Sequence, residues 1–146
     1  MTTPSTTHEI QHFDDLLRAA RAQAEHQRLL LVFVTAELPE GASAAQREGF
    51  ARGEGGALMP LMCVDKLPAE IASFDTLVRE SREYQLPGQD WQLIFAAALV
   101  GTSASGPSDA QTDSALNRMV ESIKGGVVDG YLAFDRSGQP VQLGRA

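Results

Sequence analysis

A single cysteine, Cys63, stands in the chain of 146 residues, so no internal disulfide can form and a disulfide scaffold is excluded. The three histidines, His8, His12 and His26, are scattered and have no second thiol to join, which removes the spacings of a zinc site. Basic residues are few: 12 Lys plus Arg face 19 Asp plus Glu, a net charge of −7 and a pI near 4.8. A phosphate backbone is repelled by such a chain, and no nucleic-acid partner is expected. Long apolar runs are missing too. Leu29–Val34 and Leu93–Val100 are the longest, well short of the roughly 20 residues that cross a bilayer. No membrane association is expected. The first eight residues carry no Lys or Arg and no apolar centre, so they do not read as a secretory signal. They are expected to form a disordered tail, 1–8, ahead of a single domain, 9–146. A lone thiol suits a reducing compartment, and a cytoplasmic location follows as the expectation.

What the chain does contain is an alternation of two periodicities. Ile10, Phe13, Leu16, Leu17, Ala20 and Ala24 recur at helical spacing, predicting a helix from Ile10 to about Gln27. The run Leu29-Leu-Leu-Val-Phe-Val34 is too short and too continuously apolar for an amphipathic helix; it predicts a strand buried on both faces. Glu37-Leu-Pro-Glu-Gly41 is a turn, and Ser43 then caps a short helix to about Ala51. A second apolar run, Ala57–Val64, contains Pro60, which cannot donate a ladder hydrogen bond. That strand is expected at a sheet edge, with a bulge, or beginning after the proline. Pro68 opens a helix reaching about Tyr84, Trp91–Val100 is the third strand, and Leu116, Met119, Val120 and Ile123 mark a helix that Gly125 and Gly126 end. Val128–Phe134 and Pro140–Leu143, joined by Asp135-Arg-Ser-Gly138, predict a closing hairpin.

Such alternation predicts an α/β fold: a three-layer, mixed and mostly parallel sheet with helices on both faces and a C-terminal β-hairpin. The alternative is an α+β sandwich of thioredoxin-like or ferredoxin-like type.

If the strands are parallel, their carboxyl ends converge and mark the ligand edge. That edge nominates Glu37, Glu40, Asp65 and Lys66, together with the hydroxyls of Thr102, Ser103 and Ser105. The set suits a polar ligand or a basic peptide. Strand alternation sets Cys63 and Asp65 on one face and Lys66 on the other, so Lys66 does not activate the thiol, and Cys63 reads as a buried structural cysteine. Gly53-Glu-Gly-Gly56 follows a helix and precedes a strand, the reverse of a phosphate-binding loop, and reads as a helix stop. Glu37 and Glu40 as an acid and base pair are a coincidence of spacing. Phe13, Phe74, Phe95 and Trp91 read as core, and His12 and His26 as residues of the first helix's solvated side. No catalytic residue, cofactor or metal site is nominated.

Three stretches resemble one family: Gln27-Arg-Leu-Leu-Leu-Val-Phe-Val-Thr-Ala-Glu-Leu-Pro39, Gly53-Glu-Gly-Gly-Ala-Leu-Met-Pro-Leu-Met-Cys-Val-Asp-Lys66 and Ala133-Phe-Asp-Arg-Ser-Gly-Gln-Pro-Val-Gln-Leu143. They are similar to small, uncharacterised proteobacterial proteins commonly labelled ribonucleotide reductase subunit alpha. The resemblance covers most of the chain and implies a bacterial source, but it brings no catalytic residues. The reductase reaction requires a thiyl-radical cysteine and a separate redox pair on a far larger barrel, so a chain with only Cys63 is excluded from that catalysis. A regulatory or accessory contact is what the resemblance leaves.

The acid is concentrated in residues 37–90, net −5, against −1 in each flanking third. With no coherent catalytic set, the leading expectation is a non-enzymatic, cytoplasmic, acidic domain that binds or regulates another protein, with the middle third as its surface. The alternative is a small-molecule-binding domain or small enzyme at the carboxyl edge of the sheet. The edge strand near Pro60 and the final hairpin leave a homodimer open.

Overall fold

The computed structural model describes residues 10–23, 26–38, 40–52, 56–101 and 106–142. The candidate residues Thr102, Ser103 and Ser105, and the expected tail 1–8, lie outside them. The continuous apolar run forms the middle of a longer strand, β1 (Gln27–Glu37), in which Leu29–Val34 are all buried. Around it the chain lays down α1 (Phe13–Arg21), α2 (Ala44–Ala51), β2 (Ala57–Lys66), α3 (Phe74–Tyr84), β3 (Leu93–Val100), α4 (Asp109–Lys124), β4 (Leu132–Phe134) and β5 (Pro140–Val141). The sheet has the order β2-β1-β3-β4-β5, and every neighbouring pair is antiparallel.

This overturns the expected mostly parallel α/β sheet; the fold is α+β, with a five-stranded antiparallel sheet and four α-helices among the described residues. The inference failed at an identifiable step. Alternation of strands and helices suggests parallel crossovers, yet connections that contain helices also join antiparallel strands, and the continuous burial of β1 requires only cover on both faces. Here α1 and α3 cover one face, where Leu29, Leu31 and Phe33 meet Phe13, Leu17, Phe74 and Leu77. On the other, α4 brings Ala115, Leu116, Met119 and Ile123 onto Leu30, Val32, Val34 and Phe95. Each fully buried large side chain contributes about 1.5–3 kcal/mol, so both layers hold the sheet.

Pro60 lies where its missing donor is tolerated. Strand β2 is an edge strand, and its register skips at that point: Phe33 faces Met62 while Val34 faces Pro60, leaving Leu61 as a bulge. The helix expected from Pro68 divides in two. Pro68–Glu70 is a 3-10 turn whose Glu70 Oε1 accepts from Leu67 N at 2.7 Å. Helix α3 begins afresh at Phe74, where Ser73 Oγ accepts from Thr76 N and Asp14 of α1 accepts from Phe74 N at 2.8 Å. The first helix is shorter than its periodicity suggested, ending at Arg21. Neither histidine lies on its solvated side as expected. His12 is the N-cap, its Nδ1 accepting from Asp14 N, and His26 is exposed directly before β1. No helix among the described residues is long and apolar enough to cross a membrane.

Candidate functional site

An antiparallel sheet sends successive strand ends to opposite sides, which disperses the expected carboxyl edge. Glu37, the last residue of β1, faces Ala57 at the start of β2, whereas Asp65 and Lys66 at the end of β2 face Leu30 and Leu29 at the start of β1. From Leu29 to Glu37 the strand covers about 26 Å. Glu37 and the following Glu40 therefore sit at one end of the sheet, and Asp65 and Lys66 at the other. The latter two are also partnered. Arg28 Nη1 donates to Asp65 Oδ2 at 2.6 Å, with Asp109 a further 3.8 Å neighbour of the same guanidinium, and Lys66 Nζ lies 3.6 Å from Glu80. The expected alternation holds, with Asp65 on the α4 side and Lys66 on the α3 side. These pairs fasten the edge strand to the rest of the domain. Within the acidic middle third, Asp65 and Glu80 are ion-paired and Glu70 holds its own turn.

Cys63 is exposed, contrary to its expected burial. Cys63 stands on the α4 side with Asp65, while its neighbours Met62 and Val64 turn to the other face, and an edge strand leaves Cys63 uncovered where a central one would not. Partial burial, followed by the nearby Asp65 charge, pushes its thiol above the ordinary range, so the thiolate is scarce near neutral pH.

The charged cluster that does converge is one the sequence pattern did not single out. Helix α3 buries Phe74, Leu77 and Ser81 and turns Arg79 and Arg82 outward, three residues apart on one exposed stripe. Ser81 Oγ donates to Val78 O at 2.6 Å and accepts from the fully buried Trp91 Nε1 at 2.9 Å. That bond fixes Trp91 against α3 in the segment entering β3. Across from it, the turn between β4 and β5 is tied by Asp135. Its Oδ1 accepts from Ser137 N, Ser137 Oγ and Gln139 N at 2.7–3.0 Å. Burial would raise the Asp135 carboxyl, but these hydrogen bonds outweigh it and hold the carboxyl below its ordinary value.

Gly138 completes the turn at φ +84°, with its carbonyl accepting from Phe13 N at 2.8 Å. His12 Nε2 lies 3.0 Å from Ser137 O, so the imidazole bridges α1 and the turn. Both ring nitrogens face backbone groups, which leaves His12 no free nitrogen for proton transfer.

The locked turn presents Arg136. Its guanidinium carbon stands 4.3 Å over the Trp91 ring, and Nη1 donates to Trp91 O at 2.9 Å. Stacking and the hydrogen bond together restrict the arginine side chain. Arg82 and Arg136 line two adjoining open grooves. One, ≈ 690 Å³, runs past Gln85, Asp90 and Gln92; the other, ≈ 550 Å³, runs past Ser73, Asp75 and Arg79. Among the described lysines and arginines, Arg82 is the one that makes neither a hydrogen bond nor an ion pair, while Arg18, Arg28, Lys66 and Lys124 each pair with a carboxylate. The spacing of Arg79 and Arg82 was legible as one helix stripe. Arg136 joins them only through the packing of the hairpin turn on Trp91. Comparison of the chain with family models, curated proteins and solved structures finds no match.

Proposed function

We propose that this chain is a non-enzymatic protein-binding domain that engages an extended, anionic segment of its partner in the arginine-lined groove along α3. The observation that carries this is the convergence of Arg79, Arg82 and Arg136, none of them ion-paired, in a protein whose net charge is −7. Two contiguous grooves sharing Arg82 and Arg136 make an elongated, open site. Helix α3, from Phe74 to Tyr84, extends about 15 Å. That shape suits four or five residues of extended chain better than an enclosed metabolite. Guanidinium forks recognise carboxylates in bidentate geometry, and arginine clusters are a recurrent means of reading acidic segments.

This replaces the acidic middle third as the proposed contact surface. It also removes the geometric support for a ligand at the carboxyl edge, since Glu37 and Glu40 are far from Asp65 and Lys66. The test is fluorescence anisotropy with a labelled hexaglutamate peptide at low ionic strength. Binding that weakens with added salt, about threefold with Arg82→Ala and further with Arg82→Glu, is the expected result. Arg82 holds nothing in the fold, so these variants change the groove alone. Absence of binding, or equal affinity in Arg82→Glu, refutes the reading.

A further inference from the structure

The charges left unpaired in this groove are ordered. Asp75 lies in the half lined by Ser73 and Arg79, Arg82 and Arg136 are common to both halves, and Asp90 lies in the other half beside Gln85. Neither aspartate ion-pairs with any of the three arginines, although each shares a groove with two or more of them. At the Asp90 end acceptors are in excess. Asp90 Oδ1 takes the hydrogen bond from Gln85 Nε2 at 2.7 Å, and Gln85 Oε1 is buried with no donor. The groove thus reads negative, positive, negative along α3.

We infer that the partner segment carries the complementary order: acidic residues at its centre, over Arg82 and Arg136, and a Lys or Arg on each side, at Asp75 and Asp90. The inference rests on the groove being the binding surface and adds the sequence pattern it selects. A purely acidic segment satisfies the arginines but sets like charges against both aspartates, whereas the flanked segment meets every charge with its opposite. Such charge order sets specificity more than affinity.

Two labelled pentapeptides of one composition and net charge separate pattern from overall attraction: Lys-Glu-Glu-Glu-Lys and Glu-Lys-Glu-Lys-Glu. The first is expected to bind the full chain about three- to fivefold tighter, the scale of two exposed ion pairs. The preference falls to within about twofold in the Asp75→Asn, Asp90→Asn double variant. Asp90→Asn alone lowers it in part, without touching the first turn of α3. Equal binding of the two peptides, or a preference that survives the double variant, overturns the inference while hexaglutamate binding stands. Loss of hexaglutamate binding, or its indifference to Arg82→Glu, instead overturns the groove reading and this inference with it.

Discussion

Replacing Ser81 with alanine tests whether one buried hydroxyl organises the candidate site. Ser81 is 4% exposed and its Oγ is the partner of the Trp91 indole N–H, at 2.9 Å, while Trp91 itself is fully buried. Removing the hydroxyl leaves that donor with no acceptor and no water, at a cost of about 1–3 kcal/mol. For a domain of this length, roughly 2 kcal/mol corresponds to a fall in Tm of about 4–8 °C. Urea unfolding followed through Trp91, the sole tryptophan, measures the loss directly. A double-mutant cycle read by circular dichroism isolates the bond. Trp91→Phe costs stability through lost volume, but Ser81→Ala added to it should cost little more, because no donor remains to be stranded. If Ser81→Ala loses less than about 0.5 kcal/mol, or is equally costly in the Trp91→Phe background, the stranded-donor argument is wrong. The same variant loosens the ring on which Arg136 stacks, so hexaglutamate binding should weaken with it.

Gly138→Ala is expected to destabilise by about 2 kcal/mol or more, since φ is +84° and the added Cβ falls 2.4 Å from His12 Nε2. Part of the loss should return in a His12→Ala background, and strict additivity in thermal melts would show that the contact is not the cause. The Asp135 carboxyl titrates below its unfolded value, so its contribution is present above about pH 4 and is lost as pH falls through the lower folded value. Acid titration of stability should therefore be shallower in Asp135→Ala, and an unchanged slope contradicts the assignment. Cys63, exposed but with its thiol pushed up by burial and Asp65, should react with iodoacetamide at pH 7.5 more slowly than a free thiol. Faster reaction than the free thiol would reverse the reading of its surroundings.

Much of the local structure was legible because local rules decide it. Ser43 caps its helix, as expected, with the reciprocal bonds of a capping box. Pro60 implied an edge or a bulge and has both. The aromatic core of Phe13, Phe74, Phe95 and Trp91 is buried as expected from its apolar context. The candidate site was less legible, for its carboxyl-edge form depended on strand direction. Glu37 and Asp65 meet at one edge in a parallel sheet and part in an antiparallel one, and connections that contain helices are long enough for either.

By itself the sequence determined the order of helices and strands, the Ser43 cap, the irregularity at Pro60, the shortage of thiols and the excess of acid, because each is written in a few consecutive residues. Tertiary structure alone decided strand direction, the exposure of Cys63, and the meeting of Arg136 with Arg79 and Arg82. These depend on which distant surfaces bury one another. The hairpin turn meets Trp91 where α1 packs over Gly138 and Ser81 anchors the indole, and no local pattern encodes that contact.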